Sequence, residues 1–566
     1  MNKRLLIVMF LFTLAGSLSW SQNVNKDNQL RNLVKEFRQA EVTIPFPGAA
    51  AIEILTRNVS ITSVKDKSVF INISPRTIDW FIAANYNYSI LERADTKGVV
   101  SAGSMKQAMD WQSYPTYLQY DSIMRHFSSA FPSICRLDTI GTSINGRYIF
   151  ALKISDNAGT NEDEPKVFYS STIHGDELAG YVLMLRLADY LLKNYSLNSR
   201  VKNMVDNLEI WINPLANPDG TYTSGNSITY PTRENANSYD LNRNFPDPVS
   251  STAPEQKETL DMIKFMRIHK FVISANFHSG SEVVNYPWDR WLDKYHADDS
   301  WFNTISRTYA DTVHKYSGPA YLSDPYSNGI TRGAVWYIVY GGRQDFVTWE
   351  LQGREVTIEL DDTKIEKDAA RLELLWQYNW RSFLGYLENA LYGVHGIVRD
   401  THTANPVQAK VFISGHDVDR SEVYSDALSG RFIRLLAPGM WNLTFSANGY
   451  RDTTINNVLV VDGQKTDLVV EMESITNSTG QPLLYPNPAS TLIMASLPEK
   501  LKGKVNIKII GQSGVKVADY NNDFSFGSVL EIDVRGLSGG GYTIIFTNTS
   551  SGVSYRSRFI ITGKSF

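Results

Sequence analysis

Between residues 109 and 391 the chain alternates short apolar runs with segments of helical period, and this pattern limits the fold more than any other feature. Residues 148–154, 167–173, 208–212 and 271–277 read as strands. Residues 178–192 and 260–268 carry apolar side chains at helical spacing, and a last helix is expected over residues 369–392. Strands that alternate with helices in this way predict an α/β fold, a mixed sheet covered by helices. After Tyr392 the texture changes. Short strand-like runs at 411–413, 441–445, 458–461 and 468–470 are separated by Gly, Asn and Asp turns, which predicts an all-β sandwich. A Ser/Thr/Asn/Gly linker, residues 474–482, leads to a second all-β unit over residues 483–566. Ahead of the alternating region, residues 22–104 read as a small α+β unit. It has a helical pattern at 30–42, a strand at 69–73 and an amphipathic patch at 78–90.

Composition narrows the function classes. The 566 residues suggest about three or four domains at roughly 150 residues each. Apolar residues at 43% and charged residues at 20% fit packed domains rather than a disordered chain. A formal net charge of −4 gives no electrostatic case for binding nucleic acid. Cys135 is the one cysteine, so the chain can form neither an internal disulfide nor a thiolate-rich zinc site. Any metal must be held by His and carboxylates.

The first residues have the pattern of a secretory signal peptide, expected over 1–21. Lys3 and Arg4 precede an apolar run at 5–15, followed by small residues up to Ser21. That run is too short to span a bilayer, which needs roughly 20 apolar residues. No later segment reads as a transmembrane helix.

His174 and Glu177 follow the expected strand 167–173 and precede a helix. A His and a Glu three residues apart on a turn can face one way, and both are zinc ligands. The pair alone is a weak signal, and a third ligand is needed. His278 ends the strand 271–277, a carboxyl-end position of the kind where α/β enzymes place their sites. The remaining histidines (126, 269, 296, 314, 395, 402 and 416) read as surface or core residues.

Further motifs follow in order: Asn217-Pro218-Asp219-Gly220, Arg233-Glu234-Asn235-Ala236, Asp240-Leu241-Asn242-Arg243-Asn244-Phe245, His278-Ser279-Gly280, Asn285-Tyr286-Pro287-Trp288-Asp289, Trp336-Tyr337, Gly341-Gly342-Arg343-Gln344-Asp345 and Val356-Thr357-Ile358-Glu359-Leu360. In this order and spacing they resemble the zinc metallocarboxypeptidases of the carboxypeptidase A superfamily, most closely the regulatory, carboxypeptidase N/E-like branch. The likeness covers residues 109–391. It implies a mixed eight-stranded sheet flanked by helices over residues 105–391, and one Zn²⁺ held by His174, Glu177 and His278 with water as fourth ligand. It implies Glu359 as general base and acid, Arg233 on the oxyanion, and Asn242 and Arg243 on the substrate's terminal carboxylate. Tyr337 would close over the terminal residue.

In that branch an acid eleven positions after the last zinc His and a Gln after the Gly-Gly turn line the side-chain pocket. Here these are Asp289 and Gln344, which implies a preference for C-terminal Lys or Arg. Two departures bear on this. Arg343 replaces an uncharged residue and could neutralise the pocket acid, and Ser279 replaces a common Gly. Glu282 adds negative charge nearby.

Residues 392–473 resemble the transthyretin-like β-sandwich of the same branch, and 22–104 look like a prosegment. Residues 483–566 resemble the C-terminal sorting domain of type IX secretion in Bacteroidetes. Tyr485-Pro486-Asn487-Pro488-Ala489, Leu537 to Tyr542 and the terminal strand Phe559-Ile560-Ile561 before Lys564 carry that likeness. The whole implies an exported zinc exopeptidase, secreted or surface-attached, with peptide or protein C-termini and the type IX machinery as partners. Two rival readings share the fold: a peptidoglycan-stem peptidase or deacylase, and an inactive binding or adhesion protein.

Overall fold

The computed structural model describes residues 25–65, 67–92, 101–249, 256–324, 328–475, 481–524 and 529–562. Residues 1–21, read above as a signal peptide, most of the linker (476–480) and Lys564 lie outside these. Eight strands form the central sheet: β5 (Cys135–Thr142), β6 (Tyr148–Ile154), β7 (Lys166–Ser171), β8 (Glu209–Asn213), β9 (Ile273–His278), β10 (Ser281–Tyr286), β11 (Ile330–Arg332) and β12 (Arg354–Asp361). Their order is β11-β10-β12-β9-β7-β8-β6-β5. The middle four run parallel, β12 with β9, β9 with β7 and β7 with β8. Their carboxyl ends therefore share one edge, and His278 stands directly beside Glu359 in the β9–β12 register.

The expected mixed, helix-covered sheet is what forms. Strands β8 and β9 are buried along their whole length, as a central parallel strand covered on both faces must be. Successive residues of β7 serve opposite cores. Val167 and Tyr169 join the helices Tyr117–Ala130, Ala179–Asn194, Asp299–Ser317 and Ala369–Glu388. Phe168 packs with Trp211, Met262 and Phe346 under the helices Lys257–His269 and Arg343–Glu350.

The units on either side are all built on sheets. After the catalytic-type sheet come two β-sandwiches, each made of a three-stranded and a four-stranded sheet among the described residues. The first, within residues 393–472, has its own core around Val394, Phe432 and Phe445. The second has one around Ile507, Ile532 and Phe546. The N-terminal unit has a four-stranded sheet of order β2-β3-β1-β4, from β1 (Ala40–Pro45), β2 (Ser60–Lys65), β3 (Ser68–Ile73) and β4 (Ser89–Ile90). Here one expectation is corrected. The helix runs over 25–37, not 30–42, and Ala40, Val42 and Ile44 alternate inward along β1. The β-branched alternation of Ala-Glu-Val-Thr-Ile pairs with β3 and outweighs any helical reading. Among the described residues, no helix is long and apolar enough to cross a membrane.

Candidate active site

The chain turns sharply after β7, with Thr172 in the left-handed region at φ 60°. This turn brings His174 and Glu177 to the sheet edge. Gly175 allows the turn to lie against the loop 217–221, since a Cβ there would stand 2.2 Å from the Gly220 carbonyl carbon. His174 Nδ1 lies 2.9 Å from Glu177 Oε1, His278 Nδ1 lies 2.8 Å from Glu177 Oε2, and the two Nδ1 atoms are 3.0 Å apart. All three residues are buried. Each imidazole has its other nitrogen occupied. His174 Nε2 is 3.1 Å from Asp240 Oδ1, and His278 Nε2 is 2.6 Å from Asn276 Oδ1. A side-chain oxygen of this kind takes the Nε2 proton and leaves the Nδ1 lone pair for a metal.

Burial pushes the His278 imidazole down to about 4, which keeps it neutral. For His174 burial acts the same way, but Glu177 and Asp240 outweigh it and raise the group. The negative field responsible is one that a divalent cation would relieve. Three donor atoms that converge with two nitrogen lone pairs 3.0 Å apart fit an ion between them.

The same cavity is lined by Arg233, Asn242, Arg243, Asn285, Asp289, Gly333, Tyr337 and Glu359. Burial, then the nearby Glu177 charge, push the Glu359 carboxyl well above its ordinary range. The Arg233 guanidinium spans Glu177 Oε1 and Asp240 Oδ2, at 2.9 Å each. The backbone N–H of Arg343 donates to Asn242 Oδ1 at 2.9 Å, which fixes the Asn242 amide against the Gly341-Gly342 turn.

In the same cavity, Asn285 Nδ2 and Gln344 Nε2 both donate to Asp289 Oδ1 at 3.0 Å. Gln344 thus stands behind Asp289 and supports it. Gly333 leaves room for that carboxylate, because a Cβ would come within 1.8 Å of Oδ1. Burial raises the Asp289 carboxyl to about 6. Arg343 does not neutralise it. The Arg343 side chain turns into the core, donates to Glu355 Oε2 at 3.0 Å and lies over the Phe168 ring. Glu282 also points elsewhere, accepting from Leu322 N and Arg371 at 2.9 Å. Ser279 donates its backbone N–H to Glu177 Oε2 at 3.3 Å, a contact that does not depend on the side chain.

Sequence reasoning assigned no role to Asp240 or Asn276. Asn276 had a readable signal, since it lies two residues before His278 and so on the same strand face. The sequence reading of 22–104 as a prosegment named none of the residues by which the N-terminal unit lies on the cavity. Thr62 lines it, and the Ile61 carbonyl accepts from Arg243 Nη2 at 3.1 Å. Ser60 Oγ donates to Asp240 Oδ2 at 2.7 Å, and Asn72 donates to Glu234 at 2.7 Å. Gln39 accepts from the Arg233 N–H at 2.8 Å, and Glu41 pairs with Lys364. Tyr337 packs against the apolar core of this unit.

Three family models match in succession: zinc carboxypeptidase over residues 120–382, carboxypeptidase regulatory-like domain over 393–473, and secretion system C-terminal sorting domain over 483–562. Carboxypeptidase D of Homo sapiens is 37% identical over 359 residues, 60% of this chain and 25% of that protein, so this chain spans about a quarter of that relative. The carboxypeptidase N catalytic chain of Rattus norvegicus is 32% identical over 384 residues, 60% of this chain and 82% of that one. With these motifs on this sheet, and with a relative of this identity matched over most of its length, the chain belongs to the zinc carboxypeptidase family.

Proposed function

We propose that the protein is an exported zinc exopeptidase that hydrolyses the C-terminal bond of peptides and proteins and prefers Lys or Arg at that end. The observation that carries this is one cavity holding a His₂Glu donor set, the Glu359 carboxylate, the Asn242–Arg243 pair and the Asp289 acid. His174, Glu177 and His278 would hold Zn²⁺. When bound, zinc brings the pKa of its water near neutrality and polarises the scissile carbonyl. Glu359, raised in pKa, is suited to take a proton from the attacking water and return it to the leaving amine. Arg233 places a fixed positive charge where the oxyanion develops. Asn242 and the Arg243 fork bind the terminal carboxylate, which restricts cleavage to the last residue. Tyr337 covers that residue, and Asp289 receives its basic side chain.

A panel of blocked dipeptides ending in Lys, Arg, Leu, Phe and Glu tests class and pocket together. Lys and Arg should be released fastest, and a chelator should abolish all release until zinc is restored. No release of any residue by zinc-loaded protein freed of its N-terminal unit would overturn the reading.

The pocket acid also predicts a pH effect on selectivity. With its carboxyl raised to about 6, Asp289 is charged above that pH and loses its charge as pH falls through it. The kcat/KM ratio of Arg over Leu substrates reports the free enzyme, so it should decline below about pH 6. A ratio flat from pH 8 to 5 would remove Asp289 from the specificity role.

Residues 22–104 we read as a prosegment that keeps the enzyme latent, on the strength of the contacts to Arg233, Asp240 and Arg243. The sorting-domain match over 483–562 supports export by type IX secretion, followed by release or surface attachment.

A further inference from the structure

We propose that the first β-sandwich supplies a positioning residue, Arg434, for the specificity pocket of the catalytic unit. This rests on Asp289 being the pocket acid. Asp289 begins a segment that runs over the surface to Asp298. Its near end is held from within the catalytic unit. Asp345 accepts the backbone N–H groups of Asp289 and Arg290 at 3.0 and 2.9 Å, and Arg332 donates to the carbonyls of Trp291, Leu292 and Lys294.

The far end is held across the unit boundary. Arg434, the last residue of the sandwich strand Arg431–Arg434, straddles the Asp298 carboxylate, Nη1 to Oδ2 at 2.6 Å and Nη2 to Oδ1 at 3.2 Å. Arg354, the first residue of β12, donates to the same Oδ2 at 2.6 Å and to the sandwich carbonyl of Ser421 at 3.0 Å. The side chains of Asp298 and Arg434 are 1% and 0% exposed.

A packed path leads back to the pocket. The Asp298 N–H donates to His296 Nδ1 at 2.9 Å, and the His296 ring lies 5.2 Å from that of Trp288, the residue before Asp289. Both rings are buried. A bidentate fork on a buried carboxylate has one low-energy geometry, so Arg434 fixes Asp298, and through it the His296–Trp288 stack on which Asp289 is mounted. The sandwich thus takes part in choosing the C-terminal residue without touching it.

The test uses the full chain with the N-terminal unit cut away after folding. Arg434→Lys keeps the charge and loses the fork, and Arg434→Met loses both. The kcat/KM ratio of a C-terminal Arg substrate over its Leu counterpart should fall roughly tenfold or more, because small displacements of a positioning contact are costly. Zinc content and kcat on the Leu substrate should stay within about twofold. Asp419→Asn, which takes the charge from a half-exposed contact to Lys294 and still suits the left-handed backbone there (φ 51°), should leave the ratio unchanged. An unchanged ratio in both Arg434 variants overturns the proposal. So does failure of both to fold, or a parallel loss of zinc and turnover at constant ratio, since each assigns Arg434 to stability alone. If the parent protein prefers another residue over Arg, the reading of Asp289 fails by itself. The same ratio, taken for the preferred residue, then still decides the role of Arg434.

Discussion

Glu359→Gln is expected to lower turnover by roughly 10²–10⁴-fold, the range for losing one positioned general base, or about 3–5 kcal/mol of barrier. The substitution keeps the size of the side chain and removes the proton acceptor. It also removes a half-buried carboxyl held well above its ordinary pKa by desolvation and by Glu177, so the fold should lose nothing by it. Zinc content should be unchanged, because Glu359 stands beside His278 in the sheet register but outside the cluster of His174, Glu177 and His278. Turnover and metal content measured on the same preparation separate the two roles. A variant that loses zinc in proportion to activity would make Glu359 a ligand, and one that keeps full turnover would leave the base unassigned.

The second large effect concerns the N-terminal unit. Cutting the chain after residue 92, with a protease site inserted there and cleaved once the protein has folded, should raise kcat/KM by roughly 10²-fold or more. The size follows from the fraction of molecules with an open cavity, since apparent affinity is reduced by that fraction. Polar contacts bind the unit around the cavity, among them Gln39 with Arg233, Glu41 with Lys364, Ser60 with Asp240, Ile61 with Arg243 and Asn72 with Glu234. Three strands share the work. β1 brings Glu41 to Lys364, β2 brings Ser60 to Asp240 and Ile61 to Arg243, and β3 brings Asn72 to Glu234. Adding the purified unit back in trans should inhibit, with a midpoint that reports its affinity. Equal activity before and after cleavage would show that substrate enters past the unit, and the prosegment reading would fall.

The sequence was most legible where chemistry and chain position coincide. His174, Glu177 and His278 stand at the ends of strongly apolar strands, and a parallel sheet brings such ends to one edge. Glu359 was legible because a carboxylate in an apolar run asks for a reason. Asp289 and Gln344 were placed by the family resemblance, but only the structure shows that Gln344 backs the acid. The direction of Arg343 could not be read. It opens the helix Arg343–Glu350, and its side chain follows that helix down to Glu355 on β12, a partner that lies beyond any local pattern. Contacts between the N-terminal unit and the cavity join residues far apart in the chain, such as Asn72 with Glu234, 162 positions apart, and Ser60 with Asp240, 180 apart. No periodicity encodes such pairings. The misplaced helix boundary near Val42 was readable in principle, since Ala40, Val42 and Ile44 alternate as a half-buried strand must.

The group that Arg243 engages on the N-terminal unit is the main-chain carbonyl of Ile61. A carbonyl belongs to every residue type, so side-chain replacement at position 61 leaves that acceptor in place. Alanine scanning of this stretch would therefore pass over its contact with Arg243. Only a change in the path of β2 withdraws the carbonyl, such as a proline or a deletion that shifts its register with β3. If the unit restrains the enzyme as proposed, random point mutation would seldom unmask it, whereas cutting the chain and removing the unit would.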